Sequence, residues 1–531
     1  MRKIFLIFLF FFIAITFLSS STLSKTYNIK YSLDSNLSSS DASFLGEKQK
    51  DMLGESVAII GDVNGDGYDD ILLSAPYNDQ SGTDAGKIYL IFGEKDNWQK
   101  DTTMDEVDAS FLGEYKYDNA GEAIAGVGDV NGDGYEDFVI GAPQGGLDKP
   151  SGGITYLIFG KSTGWSKDML LSDADASFIG PDSDDDVGDS LAGAGDVNDD
   201  GYNDILIGSP QDDAEHSFMG RTYLVLGKHD GWKKNMSLAN ADASFIGELK
   251  EDYAGYSVAG VGDVNGDDYD DMLIAAAHND EGGYAAGQVY LIFGKNVGWK
   301  LNYSLSMSDA SFLGEKENSS LGHSVAGAGD VNKDGYDDFL IGSPGMDSLG
   351  SYTGKTYLVL GKADGWSMDT KISEADASFI GEKEYSFSGG SVAKAGDVNG
   401  DGYDDFLIGA GGDENGTGQI YVILGKATGR SKNINLTMAD ASFIGENAHD
   451  WAGDSISGGG DINGDGYDDI LVGAIWNDET GTDAGQAYLI FLKNKQNGTQ
   501  NGIFDNWIFF IVAIIIVIII IVGWLFIKRK K

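Results

Sequence analysis

The chain has 531 residues, 42% of them hydrophobic, and a formal net charge of −48 at pH 7. So acidic a surface excludes nucleic acid and anionic lipid as partners of the folded part, and it suits divalent cations. There is no cysteine, which rules out thiol chemistry and a disulfide frame together.

In chain order, Arg2 and Lys3 precede an apolar run from Ile4 to Leu18 and a Ser-rich cluster from Ser19 to Ser24. This is the layout of a secretory signal peptide, expected over residues 1–24. A repeat then fills residues 25–493. The string G-D-V-N-G-D-G-Y-x-D recurs with its first Asp at 62, 129, 196, 263, 330, 397 and 461, at intervals of 67 residues and finally 64. D-A-S-F recurs in step from Asp41 to Asp440, and a Tyr-led apolar strand recurs from Tyr89 to Tyr488. Seven units in register are the signature of a closed circular array.

Each unit reads as four short strands. The first is small and Gly-rich (Ser324 to Gly329), and the second follows the acidic loop (Asp338 to Gly342). The third starts at the Tyr, and the fourth is the polar, alternating stretch before D-A-S-F, such as Asn433 to Thr437. The expected fold is therefore all-β: a seven-bladed β-propeller of four-stranded antiparallel blades. No D-A-S-F follows the last Tyr-led strand, so Tyr27 to Asp34 is expected to supply the fourth strand of blade seven and close the ring.

The acidic loops carry the chemistry. Oxygen-bearing side chains stand at positions one, three, five and nine, with Gly at six for the turn and the carbonyl of residue seven available as a further ligand. The candidate metal ligands are Asp62, Asn64, Asp66, Tyr68 and Asp70 in blade one, and Asp129, Asn131, Asp133, Tyr135 and Asp137 in blade two. Blade three offers Asp196, Asn198, Asp200, Tyr202 and Asp204; blade four Asp263, Asn265, Asp267, Tyr269 and Asp271. Blade five offers Asp330, Asn332, Asp334, Tyr336 and Asp338; blade six Asp397, Asn399, Asp401, Tyr403 and Asp405; blade seven Asp461, Asn463, Asp465, Tyr467 and Asp469. Asp and Asn also favour turns for their own sake. Three carboxylates in nine residues, however, repel one another without a cation, and hard oxygen donors select Ca²⁺, about seven ions in all. Asp268 stands where blade four should have Gly, and Lys333 sits at position four of blade five, so both sites are expected to bind more weakly; Asp199 at position four of blade three acts in the opposite sense.

These residues resemble the FG-GAP repeat proteins, the group that includes the integrin α-subunit head; the match is clearest from Gly322 to Pro344. The resemblance implies a seven-bladed propeller with Ca²⁺ between the first and second strands on the lower face, and a partner on the upper face. The Phe of the family's F-G pair is replaced here by Leu53, Ala120, Val187, Ala254, Leu321, Ser388 and Ala452.

Trp98, Trp165, Trp232, Trp299 and Trp366 keep the 67-residue beat and read as packing, with Arg430 in the sixth slot. Trp451, Trp476, Tyr115, Tyr117, Tyr253 and Tyr284 fall in loops expected on the upper face and are the candidate contacts for an extracellular protein ligand or a glycan. Seven N-x-S/T sequons, at Asn36, Asn235, Asn302, Asn318, Asn415, Asn435 and Asn497, would accept glycans. The five histidines share no slot or metal-ligand spacing, so no enzyme is expected.

A short stalk, residues 494–506, leads to Trp507, from which an apolar run of 21 residues reaches Ile527. At about 1.5 Å per residue this spans roughly 30 Å of hydrocarbon as a helix. The basic residues 528–531 follow and are expected in the cytoplasm, leaving the N-terminal bulk outside the cell. With the six basic residues of the two ends set aside, the remainder carries −54.

Overall fold

The computed structural model describes residues 30–145, 152–182, 185–212, 218–412, 415–429 and 431–492. The expected signal peptide and apolar span lie outside them. Among the described residues no helix is long and apolar enough to cross a membrane.

Seven sheets form, and the innermost strand of each packs beside those of its two neighbours, the first against the seventh, so the ring is closed. Blade one shows the plan: Val57–Gly61, Asp70–Ala75, Lys87–Ile91 and Ala109–Leu112 run antiparallel, and Met169–Leu170 adds a short parallel edge. The innermost strand is small because it crowds the axis. A Cβ on Gly126 would lie 2.9 Å from the Cα of Ile60 in the neighbouring blade. Every innermost strand ends in a bulge before its acidic loop, as between Ile59 and Gly61, and Gly61 takes φ +76° to allow it.

Two expectations about strands are corrected. The fourth antiparallel strand is A-S-F-L or A-S-F-I itself, not the polar stretch before it. That stretch contributes only two residues, Ile434–Asn435 in the case cited, which pair in parallel with the sheet of the preceding blade. The reason is local: a 3₁₀ turn, Leu436–Met438, follows at once and buries Leu436, whereas the Ala-Ser-Phe segment is buried on both faces and can be covered by neighbours on each side. Each blade is therefore four antiparallel strands plus a short fifth.

The second correction concerns closure. N-terminal sequence does complete blade seven, but through Ala42–Leu45 against Gln486–Ile490; Ser35–Asn36 instead edges blade six against Ala441–Ile444, and Tyr27 to Asp34 forms no strand among its described residues.

The hydrophobic core lies between blades. Phe111 of blade one meets Phe138 of blade two edge-on at 5.6 Å, and Trp165 stacks on Phe138 at 6.2 Å. The indole N–H of Trp165 donates to the carbonyl of Lys161 at 2.7 Å, and the Lys161 ammonium lies 4.6 Å from the ring centroid. Trp98, Trp232 and Trp366 repeat the hydrogen bond, so the periodic tryptophans are packing. Arg430 lies outside the described residues.

Candidate functional site

The acidic loops all leave the innermost strand on one face, here called lower, and the same geometry recurs around the ring. In blade one Asp62 accepts hydrogen bonds from the backbone N–H groups of Gly65, Asp66 and Gly67 at 2.6, 3.0 and 2.8 Å. Asp66 accepts from Tyr68 N–H at 3.1 Å. Asp70 is buried beneath, accepting from Val63 N–H at 3.0 Å and Gly93 N–H at 2.8 Å. The amide of Asn64 donates to the same carboxylate. Positions one, three, five and nine of every loop are thus drawn around one short turn, with the position-seven Tyr beside them.

The ninth carboxylate is fully buried in every blade. Burial, followed by repulsion from the first and fifth carboxylates, pushes Asp70, Asp137, Asp271, Asp338 and Asp405 up to about 8, and Asp204 to about 7. Asp469 rises to about 9, and its Oδ1 has no hydrogen-bond partner. Burial is again the largest cause of the rise, with Asp465 and Asp461 next, and the missing hydrogen bond traces to one position. Gly93 and its counterparts approach so closely that a Cβ would lie 2.3 Å from the Asp69 carbonyl, and blade seven has Leu492 in that slot. The Oδ1 of Asn399 is likewise unpartnered. Among the described residues no three carboxylate or imidazole groups stand close enough to enclose a metal. The donor set nevertheless fits a hard divalent cation: all-oxygen, overcharged, with a buried carboxylate that no cationic side chain among the described residues pairs.

The departures have structural consequences. Asp268 takes φ +70°, the left-handed region that Gly would occupy at no cost. Lys333 does not point into its own loop. Its ammonium lies over the Tyr403 ring at 5.4 Å and against Gly402, in the loop of blade six.

The opposite, upper face is built from the loops after the second strand and those between blades. It holds all six candidate contact aromatics. Tyr284 is 67% exposed, and Tyr117, Trp451 and Trp476 are each more than a third exposed. Tyr115 is half-buried against the core of blades one and two, its hydroxyl on Glu114. Tyr253 stacks on Phe218 at 6.0 Å and approaches His278 at 4.9 Å. Sequence reasoning missed Phe218 and the group Tyr352, Tyr385 and Phe387, whose rings lie 5.4 to 6.1 Å apart. Aligning the repeats would have found part of it. Tyr253, Phe387 and Trp451 share one slot with Met52, Asn119, Asp186 and Ser320, and all seven have positive φ. An aromatic there carries strain that Asn or Gly would avoid.

Another slot lies where each interblade loop enters the innermost strand, around the axis. Its occupants are Glu55, Glu122, Asp189, Tyr256, His323, Gly390 and Asp454. Burial and then the neighbouring acids push Glu55 up to about 8, Glu122 to about 7 and Asp189 to about 6. The Tyr256 hydroxyl lies 3.3 Å from His323 Nε2. Of the sequons, Asn36, Asn235, Asn302, Asn318 and Asn415 are exposed, Asn435 is half-buried, and Asn497 lies outside the described residues.

The FG-GAP repeat model matches residues 53–91, 120–158, 187–224, 254–292, 321–359, 388–423 and 452–490, about half of the chain. The chain belongs to the FG-GAP repeat family. Each match runs from the buried slot of Leu53 and its counterparts through the acidic loop to the third strand. This FG-GAP protein is similar to integrin alpha-5 of Xenopus laevis, 30% identical over 52% of this chain and 24% of the relative. It is similar also to integrin alpha-V of Gallus gallus, 29% identical over 48% of this chain and 23% of the relative. With integrin alpha-IIb of Mus musculus it shares 37% identity over 31% of this chain and 15% of the relative. The matches thus span about a quarter or less of these relatives' length, and the fold is an integrin-α-like propeller.

Proposed function

We propose that this propeller is a Ca²⁺-stiffened recognition module at the cell surface, anchored by residues 507–527, whose upper face takes an extracellular protein in an adhesive contact. The observation that carries the reading is a division of labour between faces. The overcharged acidic loops occupy the lower face, and the exposed, strained aromatics occupy the upper one. Likeness to integrin alpha chains supports an adhesive role.

The ions act structurally in this reading. Extracellular Ca²⁺ modules have dissociation constants of about 0.1–1 mM, so at about 1 mM Ca²⁺ each site contributes about 0.4–1.4 kcal/mol. Seven such sites contribute about 3–10 kcal/mol, comparable with a domain's net stability in a chain without disulfides. The module does no chemistry of its own. Its residues hold the cations and present the upper loops.

The test is affinity capture by the extracellular part with and without Ca²⁺, alongside a glycan array. A protein partner held only in Ca²⁺, and lost when Tyr284 and Trp476 are replaced by Ala, supports the reading. Strong sugar binding with no protein partner refutes it in favour of glycan recognition, for which the stacked Phe218–Tyr253 pair would be the platform.

A further inference from the structure

The lower-face loops touch one another. In five seams the backbone N–H of a loop's first Asp donates to the position-eight carboxylate of the next blade. The pairs are Asp461 with Asp69, Asp196 with Asp270, Asp263 with Asp337, Asp330 with Asp404 and Asp397 with Asp468, at 2.7 to 3.1 Å. In most of these seams the bond is returned, as where Asp337 N–H donates to the Asp263 carbonyl at 3.2 Å. The Tyr at position seven covers position four of the loop before it: a Cβ on Gly65 would lie 2.6 Å from Tyr135, and one on Gly464 would lie 2.5 Å from Tyr68. A third tie runs from Lys362 N–H to the Val264 carbonyl at 2.8 Å, with counterparts in other blades. Glu136 and Asn203 stand at position eight in blades two and three, where only the return bond is made.

We infer that these loops form one mechanical belt, so that divalent cations bind them with positive cooperativity. The inference rests on the Ca²⁺ reading above. Its path is short and physical. A cation fixes the first Asp of one loop; that residue's N–H and carbonyl hold position eight of the next blade. Position eight adjoins the buried ninth ligand, and the covering Tyr at position seven carries the predicted carbonyl ligand. Filling one loop therefore removes conformational freedom that its neighbour would otherwise lose on binding. Charge opposes this: each bound divalent ion weakens the negative potential that its neighbour feels, a repulsion that salt screens, so the titration is run at about 0.15 M salt, where ordering outweighs it.

The experiment uses the full-length protein in detergent, stripped with EDTA and titrated with Ca²⁺ by calorimetry, with bound metal counted at half-saturation. The wild type should give a Hill coefficient above 1. The variant D270A/D337A/D404A replaces no predicted ligand, removes the seam bonds to the first Asp of three loops, and should bring it toward 1. A second variant, Asp334→Ala, deletes one exposed ligand and should cost more than one ion per chain, its neighbours weakening about fivefold. A Hill coefficient of 1 or below with the loss of a single ion overturns the coupling and leaves the Ca²⁺ reading intact, and an unchanged coefficient in the triple variant overturns the belt as its carrier. Absence of any bound ion in the wild type overturns the Ca²⁺ reading itself, and the coupling with it.

Discussion

Replacing Glu55 by Gln should make the protein more stable at pH 8 and leave it nearly unchanged at pH 5. Glu55 stands at the upper mouth of the axis, and its electrostatic neighbours are Glu122 and Asp454, with no cation among them. Burial first, and those two carboxylates second, lift it from 4.5 to about 8. The unfolded chain ionises this group near 4.5. Protonated Glu55 therefore contributes stability that is fully present below about 4.5 and is lost as pH rises to about 8. At about 1.4 kcal/mol per tenfold, the unscreened difference is about 5 kcal/mol; water at the open mouth reduces it to roughly 1–2 kcal/mol. Gln matches the neutral acid in shape and never ionises, so it removes the penalty only where the penalty exists. Melting curves of both proteins in saturating Ca²⁺ at the two pH values measure this directly. An equal gain at both, or a lower melting temperature for the variant at pH 8, would refute the account of the acidic mouth.

Chelation with EDTA should lower the melting temperature by several degrees, reflecting the loss of about 3–10 kcal/mol from the loops, and calorimetry with and without Ca²⁺ checks it. Phe44→Ala should cost about 3–5 kcal/mol, because Phe44 is 2% exposed and packs beside Trp98 in the core between blades seven and one. Trimming only through Asn36 should cost less in the same denaturation assay, since it removes a two-residue edge and the Tyr31–Phe443 contact but leaves the blade-seven strand Ala42–Leu45 in place. Lys333→Gly should tighten Tb³⁺ binding in blade six as well as blade five, read by luminescence through Tyr403, because the ammonium sits on the neighbouring loop. An effect confined to blade five would contradict that placement.

Much of this molecule was legible before any coordinates. A 67-residue beat in three landmarks specifies seven like units, and units that cannot bury their faces alone must close on one another. The acidic turns were equally plain, because Asp and Asn compressed into nine residues fold on their own backbone N–H groups, a local property. Strand pairing is different. Ala109–Leu112 became the fourth strand and Met169–Leu170 its parallel edge because two sheets, far apart in sequence, compete for the same hydrogen bonds, and only the closed ring decides which edge is free. Ser35–Asn36 was diverted to blade six by the same competition. Nothing in the spacing marks Asp270 as a contact, since the N–H that it holds is 74 residues away in another blade. Glu122 came beside Glu55 when blade two packed on blade one, and Asp454 only when the first blade met the last. Composition and spacing determine the acidic turn of each unit and how many units there are; proximity between units, and the burial and charge repulsion that follow from it, exist only once the chain has folded back on its own beginning.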